Sequence, residues 1–147
     1  MNIRLAVSED IDDIVNVENK CFTTPWSKNS IKREIEINEL ATLIVADVDG
    51  MVVGYLGIWF VLDEGDITNV SVLPEYRRRS IATKLLEQVI EIAKTKGTNA
   101  LSLEVRESNV AGIKLYEKFG FKNLGIRKNY YEDNGENAII MWKVDIC

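Results

Sequence analysis

Val70-Ser71-Val72-Leu73-Pro74-Glu75-Tyr76-Arg77-Arg78-Arg79-Ser80-Ile81-Ala82 decides how the rest of the chain is read. A β-type run over residues 66–73 ends at Pro74, a turn with three consecutive arginines follows, and a strongly periodic helix begins near Ser80. A strand that feeds a basic loop and then a helix N-terminus builds an anion site. Free N–H groups point out of the first helical turn, the macrodipole adds partial positive charge, and arginines supply full charges. The fitting occupant is a phosphate or pyrophosphate; the competing reading of any charge run is a solvated loop.

Downstream, Ile81, Leu85, Val89 and Ile92, with Ala82, Leu86, Ile90 and Ala93 beside them, form a wide apolar stripe that stops at Gly97. In residues 99–106, Leu101, Leu103 and Val105 alternate with Ser102, Glu104 and Arg106, which reads as a strand. A further helix starts near Ser108 or Asn109 and is closed by Gly120. Residues 121–130 and 137–144 then make a hairpin around Asp133-Asn134-Gly135.

Upstream, Ile3, Leu5 and Val7 alternate with Asn2, Arg4 and Ala6, predicting a strand with one apolar face. Ser8 is the expected N-cap of a helix that runs to about Cys21, with Glu9, Asp10, Asp12 and Asp13 suiting its first turns. Pro25 disfavours helix at Thr24, and Ser27 caps a second helix through Ile31 and Ile35. Residues 41–48 and 51–62 are strands joined at Asp49-Gly50, a strong hairpin signal. Gly54 and Gly57 inside the second strand mark a bulge or a close backbone approach.

The 147 residues suit a single domain spanning 1–147, and 46% hydrophobic with 28% charged residues is ordinary globular composition. A net charge of −5 argues against a general nucleic-acid binder. The basic loop is therefore a local feature on an acidic body, suited to a small anionic cofactor. No apolar run nears the ~20 residues that span a bilayer, so no membrane partner is expected. With no histidine and no metal-ligand spacing at Cys21 and Cys147, no metal is expected either. A reduced, cytoplasmic compartment is the default. Acid–base work then falls to Glu, Asp, Tyr, Lys, a thiol or water.

The order strand, two helices, three strands, helix, strand, helix, two strands, with the basic loop after the fourth strand, resembles the GNAT acyl-CoA-dependent N-acetyltransferases. Their signature Arg/Gln-x-x-Gly-x-Gly/Ala corresponds to Arg77-Arg78-Arg79-Ser80-Ile81-Ala82, and Asn109-x-x-Gly112-x-x-Leu115-Tyr116-x-x-x-Gly120-Phe121 matches a second family pattern. The resemblance covers essentially the whole chain. It implies an α/β fold with a mixed central sheet flanked by helices on both faces, and acetyl-CoA as co-substrate. One departure is Ser80, where the signature has glycine; serine resists a left-handed conformation, so Ser80 is expected in right-handed helical space.

Further matches at Pro25-Trp26-Ser27, Leu103-Glu104-Val105-Arg106, Ser108-Asn109 and Asn129-Tyr130-Tyr131 are similar to the branch that acetylates protein N-termini. The acceptor that this resemblance favours is the N-terminal alanine of small-subunit ribosomal protein eighteen. It also implies Glu104 as general base and Tyr116 as the acid that protonates the coenzyme thiolate. Backbone groups of Val70, Ser71 and Val72 face the pantetheine; Arg78, Arg79, Ser80, Ile81, Ala82 and Thr83 clamp the pyrophosphate; Asn109 touches the coenzyme. Trp26, Tyr130 and Tyr131 are candidates for walling a slot for an extended peptide end. A small-molecule amine or an internal lysine remains an alternative acceptor, and a non-catalytic acyl-CoA sensor the alternative of another class. Oligomeric state is left open.

Overall fold

The structure is a computed structural model that describes residues 1–146; Cys147 lies outside them. Along the chain stand β1 (Asn2–Leu5), α1 (Ile11–Cys21), α2 (Lys28–Glu36), β2 (Ala41–Val48), β3 (Met51–Val61) and β4 (Glu64–Val72). Then come α3 (Ile81–Thr95), β5 (Ala100–Arg106), α4 (Val110–Lys118), β6 (Lys122–Arg127) and β7 (Ala138–Lys143). The strands form one sheet in the order β1-β2-β3-β4-β5-β7-β6. All neighbours are antiparallel except β4 and β5. The sheet is mixed, as expected.

Neighbouring residues of β3 show why helices cover both faces. Side chains alternate across a strand. The Tyr55 hydroxyl reaches Glu18 of α1, whereas a Cβ added at Gly54 would meet Ile81 of α3 at 3.4 Å. So α1 packs on one face and α3 on the other. The core is continuous through the sheet, with Ile14, Val17, Ile31, Leu56, Leu85, Leu86, Val89 and Leu101 all at 0–1% exposure.

Two local expectations change. Leu5 and Val7 are 61% and 48% exposed, because β1 is an edge strand and only Ile3 and Ala6 pack against the core. The turn into α1 is organised by Asp10 rather than by a Ser8 cap. Asp10 Oδ2 accepts from Val7 N–H at 2.8 Å, and Arg4 holds both Asp10 oxygens at 2.8 and 2.9 Å. Ser8 Oγ instead donates to Glu36. The Arg4 guanidinium keeps the Asp10 carboxyl below the usual carboxylate range.

Candidate active site

The site exists because β4 and β5 stay together for only four residue pairs, Glu64↔Ala100 through Ile67↔Leu103. The next residue of β4, Thr68, is an extra residue against β3: Gly57 pairs with Asn69 and Ile58 with Ile67. A bulge bends its strand and raises the local twist, which turns β4 away from β5 at the point where their pairing stops. Gly57 makes room, since a Cβ there would lie 2.9 Å from Thr68 Oγ1.

Past the bulge, Leu73 N–H donates to Val53 O at 2.8 Å. Antiparallel alternation then aims the N–H and C=O of Val70 and Val72 away from β3, into the gap. Val72 O is taken there by Cys21 Sγ at 3.3 Å and Arg77 Nε at 3.2 Å. The Val70 and Val72 amides therefore face the opening.

One end of the gap is a cleft of about 250 Å³. β4 contributes Thr68, Asn69 and Val70, and β5 contributes Glu104 and Arg106. Asn109 and Tyr116 enter from α4 and its cap, Glu18 from α1, and Trp26 and Tyr131 from loops. Glu104 is half-buried, with Arg127 Nε 3.2 Å from its Oε2 in an ion pair that lacks hydrogen-bond alignment. Tyr116 is 8% exposed and stands edge-on to Phe121. Burial first, and Tyr131 second, push its phenol up to about 12, so the proton stays on oxygen at neutral pH. Asn109 Oδ1 accepts from Gly112 N–H at 3.0 Å and so caps α4 as it lines the cleft.

Arg106 locks the far wall. Its guanidinium lies 3.9 Å from the Tyr131 ring centre and pairs with Asp133 at 2.9 Å and Glu136 at 3.2 Å. Thr23 Oγ1 donates to Asp133 at 2.9 Å, which ties the loop after α1 to the loop before β7.

The other end is a hollow of about 300 Å³ lined by Val72, Tyr76, Arg78 and the start of α3, namely Ser80, Ile81, Ala82 and Thr83, with Leu115. Leu115 and Tyr116 are adjacent on α4, so that helix borders both hollows. Lys84 N–H is the first to find a helical acceptor, Ser80 O at 3.0 Å, and Ser80 supplies no side-chain cap. The amides of Ile81, Ala82 and Thr83 are the orphan donors expected of an uncapped first turn. Ser80 itself is left-handed, φ 61° and ψ 20°, against the expectation of right-handed helical space. The chain must reverse within three residues between Arg77, which is extended, and Ile81, and the turn falls on Ser80 although it carries a Cβ.

Of the expected residues, Glu104, Tyr116, Asn109, Val70, Trp26 and Tyr131 share the cleft. Val72, Arg78, Ser80, Ile81, Ala82 and Thr83 share the second hollow. Three stand apart. The Arg79 guanidinium lies over the Tyr76 ring at 5.0 Å. Ser71 is buried, and its hydroxyl has no partner among the described residues. Tyr130 is 47% exposed and edge-on to Tyr131. Sequence reading missed Glu18, Asn69 and Arg106 in the cleft. Glu18 did carry a signal, a charge at a core-facing position of an amphipathic helix. Among the described residues, no group of three or more His, Cys, Asp or Glu is placed to hold a metal ion, and no helix is long and apolar enough to cross a membrane.

Comparison with known proteins identifies the family and the fold. The model of the acetyltransferase (GNAT) family matches residues 11–121. A Bacillus subtilis (strain 168) protein, provisionally named a ribosomal protein bS18-alanine N-acetyltransferase, is 48% identical over 141 residues, covering 96% of this chain and 91% of that one. The Escherichia coli (strain K12) protein named a ribosomal protein bS18-alanine N-acetyltransferase is 34% identical, covering 90% and 89%. The crystal structure of the Escherichia coli ribosomal-protein-S18-alanine N-acetyltransferase superposes with a TM-score of 0.90 at 32% identity, covering 98% of this chain and 93% of that one. The chain belongs to the acetyltransferase (GNAT) family.

Proposed function

We propose that this enzyme transfers acetyl from acetyl-CoA to the α-amine of a protein N-terminus, with the N-terminal alanine of ribosomal protein bS18 as acceptor. The observation that carries the reading is that the Glu104 carboxylate and the protonated Tyr116 phenol line the same cleft, opened by the parting of β4 from β5. Similarity to relatives named for bS18 supplies the acceptor.

The uncapped amides of Ile81, Ala82 and Thr83, with Arg78 beside them, fit a pyrophosphate. From there the gap leads along β4, where Val72 and Val70 are two residues and about 7 Å apart, toward the cleft. Their N–H groups, turned into the gap, bind the pantetheine arm and polarise the thioester carbonyl. The acceptor nitrogen attacks that carbonyl carbon, a C–N bond forms, and the C–S bond breaks. Glu104 takes a proton from the nitrogen, directly or through water, and Tyr116 gives its proton to the departing sulfur. A chain-terminal amine suits a single carboxylate base, because its reference pKa is ~7.7–8.0 against ~10.4 for lysine.

The test is a peptide panel that varies only the first residues, with lysyl peptides alongside, incubated with acetyl-CoA and read by mass spectrometry. Acetylation is expected on the α-amine of peptides that begin with alanine. In Glu104→Gln and Tyr116→Phe, kcat is expected to drop by about 100-fold or more while acetyl-CoA binding is retained. Preference for lysyl peptides, or wild-type turnover in both variants, would contradict the reading.

A further inference from the structure

The chemistry above leaves Glu18 without a role, and its surroundings are unusual for a carboxylate. It is 0% exposed on α1 and lines the cleft. A charge so deeply buried requires a cation or a full set of donors. Among the described residues no lysine or arginine pairs with it. Its Oε1 accepts from the Tyr55 hydroxyl at 2.6 Å and from Asn69 Nδ2 at 3.1 Å. Among the described residues its Oε2 has no hydrogen-bond partner, and neither has Asn69 Oδ1. The Trp26 backbone N–H acts on the carboxylate without reaching hydrogen-bond alignment. Burial pushes the carboxyl up from its ordinary value, opposed mainly by the Tyr55 hydrogen bond.

Two orphan acceptors thus belong to neighbouring, hydrogen-bonded residues in the wall of the acceptor cleft. What they lack is N–H donors and one positive charge. An α-ammonium group carries three N–H donors and that charge on one atom. A thioester, a thiol or a phosphate offers neither.

We propose that Glu18, with Asn69 beside it, is a second acceptor-binding carboxylate: Glu18 Oε2 and Asn69 Oδ1 receive N–H bonds from the substrate's terminal ammonium. This rests on the N-terminal acetyltransferase reading and adds the group that captures the amine while it is still charged. An arriving cation favours the ionised form of Glu18 and so counters the effect of burial. Glu104 and Glu18 then divide the work on one nitrogen. Glu18 holds the charged acceptor, Glu104 takes the proton that frees the attacking lone pair, and the second proton, released as the C–N bond forms, goes to the Tyr116 phenolate left when sulfur was protonated.

The competing account makes Glu18 a strut joining α1 to β3 and β4 through Tyr55 and Asn69. Two variants separate them. Glu18→Gln keeps an oxygen for the Tyr55 hydroxyl and removes the charge; Tyr55→Phe breaks the strut and leaves the carboxylate in place. If Glu18 binds the ammonium, Glu18→Gln raises the KM for the peptide acceptor about tenfold or more, as befits a hydrogen bond to a charged group, with the acetyl-CoA KM unchanged. Tyr55→Phe then leaves the acceptor KM near wild type. An acceptor KM untouched by Glu18→Gln, or raised equally by both variants, overturns the proposal. The comparison is made on whichever amine the wild type acetylates, so a preference for lysyl peptides defeats the chain-end reading and leaves this test intact. A wild type that acetylates no amine defeats both.

Discussion

Arg78 and Ser80 both stand in the left-handed region, φ 64° and 61°, with Arg79 between them. Each costs roughly 1–2 kcal/mol for a residue with a Cβ. Alternating backbone hands turn successive N–H groups toward one side, the geometry of an anion-binding nest. The two positions therefore shape the loop that leads into the free amides of α3.

Replacing Ser80 tests this directly. Ser80→Gly relieves the left-handed strain but adds flexibility to the unfolded chain, for a net gain of about 0.5–1 kcal/mol. Ser80→Val puts a β-branched side chain where it is least tolerated and loses about 1–2 kcal/mol. Thermal unfolding reports both. Acetyl-CoA affinity is expected to be at least wild type in the glycine variant and weaker in the valine variant. Equal affinity in all three proteins would show that the conformation at this position does not matter for the coenzyme.

Much of the fold could be read from the sequence because its signals are local. Asp49-Gly50 predicts a turn with both residues left-handed, and they have φ 52° and 87°. Ser27 Oγ accepts from Ser30 N–H as a cap should, and Gly97 and Gly120 end their helices at φ 73° and 91°. The features that escaped are long-range. Whether the apolar side of β1 is covered depends on what lies beside an edge strand, and nothing in residues 2–7 encodes that. Glu18 finds Tyr55 and Asn69 at separations of 37 and 51 residues, partners that helical spacing alone does not name. The glycines were the intermediate case: Gly57 signalled a bulge, but only the strand register shows that Thr68 is the extra residue.

Gly54 bears on the same wedge from the opposite face. A Cβ there would stand 2.9 Å from Ser71 O and 3.2 Å from Val72 Cγ2. The closest atom is backbone and cannot rotate aside, so β4 must shift where its amides line the gap. Gly54→Ala is expected to cost about 1–3 kcal/mol in stability, in the range of other overpacked sites. It is also expected to raise the acetyl-CoA KM more than the peptide KM. Denaturant unfolding and steady-state kinetics check the two halves. An alanine variant with wild-type stability would mean that the strands part with room to spare.

Glu136 makes the acceptor wall sensitive to acid. Its Oε2 accepts from Ser108 N–H at 2.6 Å and its Oε1 from Arg106 at 3.2 Å. Hydrogen bonds from Ser108, ahead of the Arg106 guanidinium, hold its carboxyl down at about 2 from an ordinary 4.5. A folded pKa below the unfolded one means that this stabilisation is complete above about 4.5 and fades as pH falls toward about 2. Ser108 precedes the Asn109 cap of α4, and Arg106 carries Tyr131, so releasing Glu136 loosens both sides of the peptide slot. The Ser108 amide resonance should therefore titrate with a midpoint near 2 in the wild type and lose that transition in Glu136→Gln. At neutral pH the same variant should raise the peptide KM while sparing acetyl-CoA. A Ser108 amide that titrates near 4.5 would show the Glu136 carboxylate free in solution, and the slot would then be held by Asp133 and Thr23 alone.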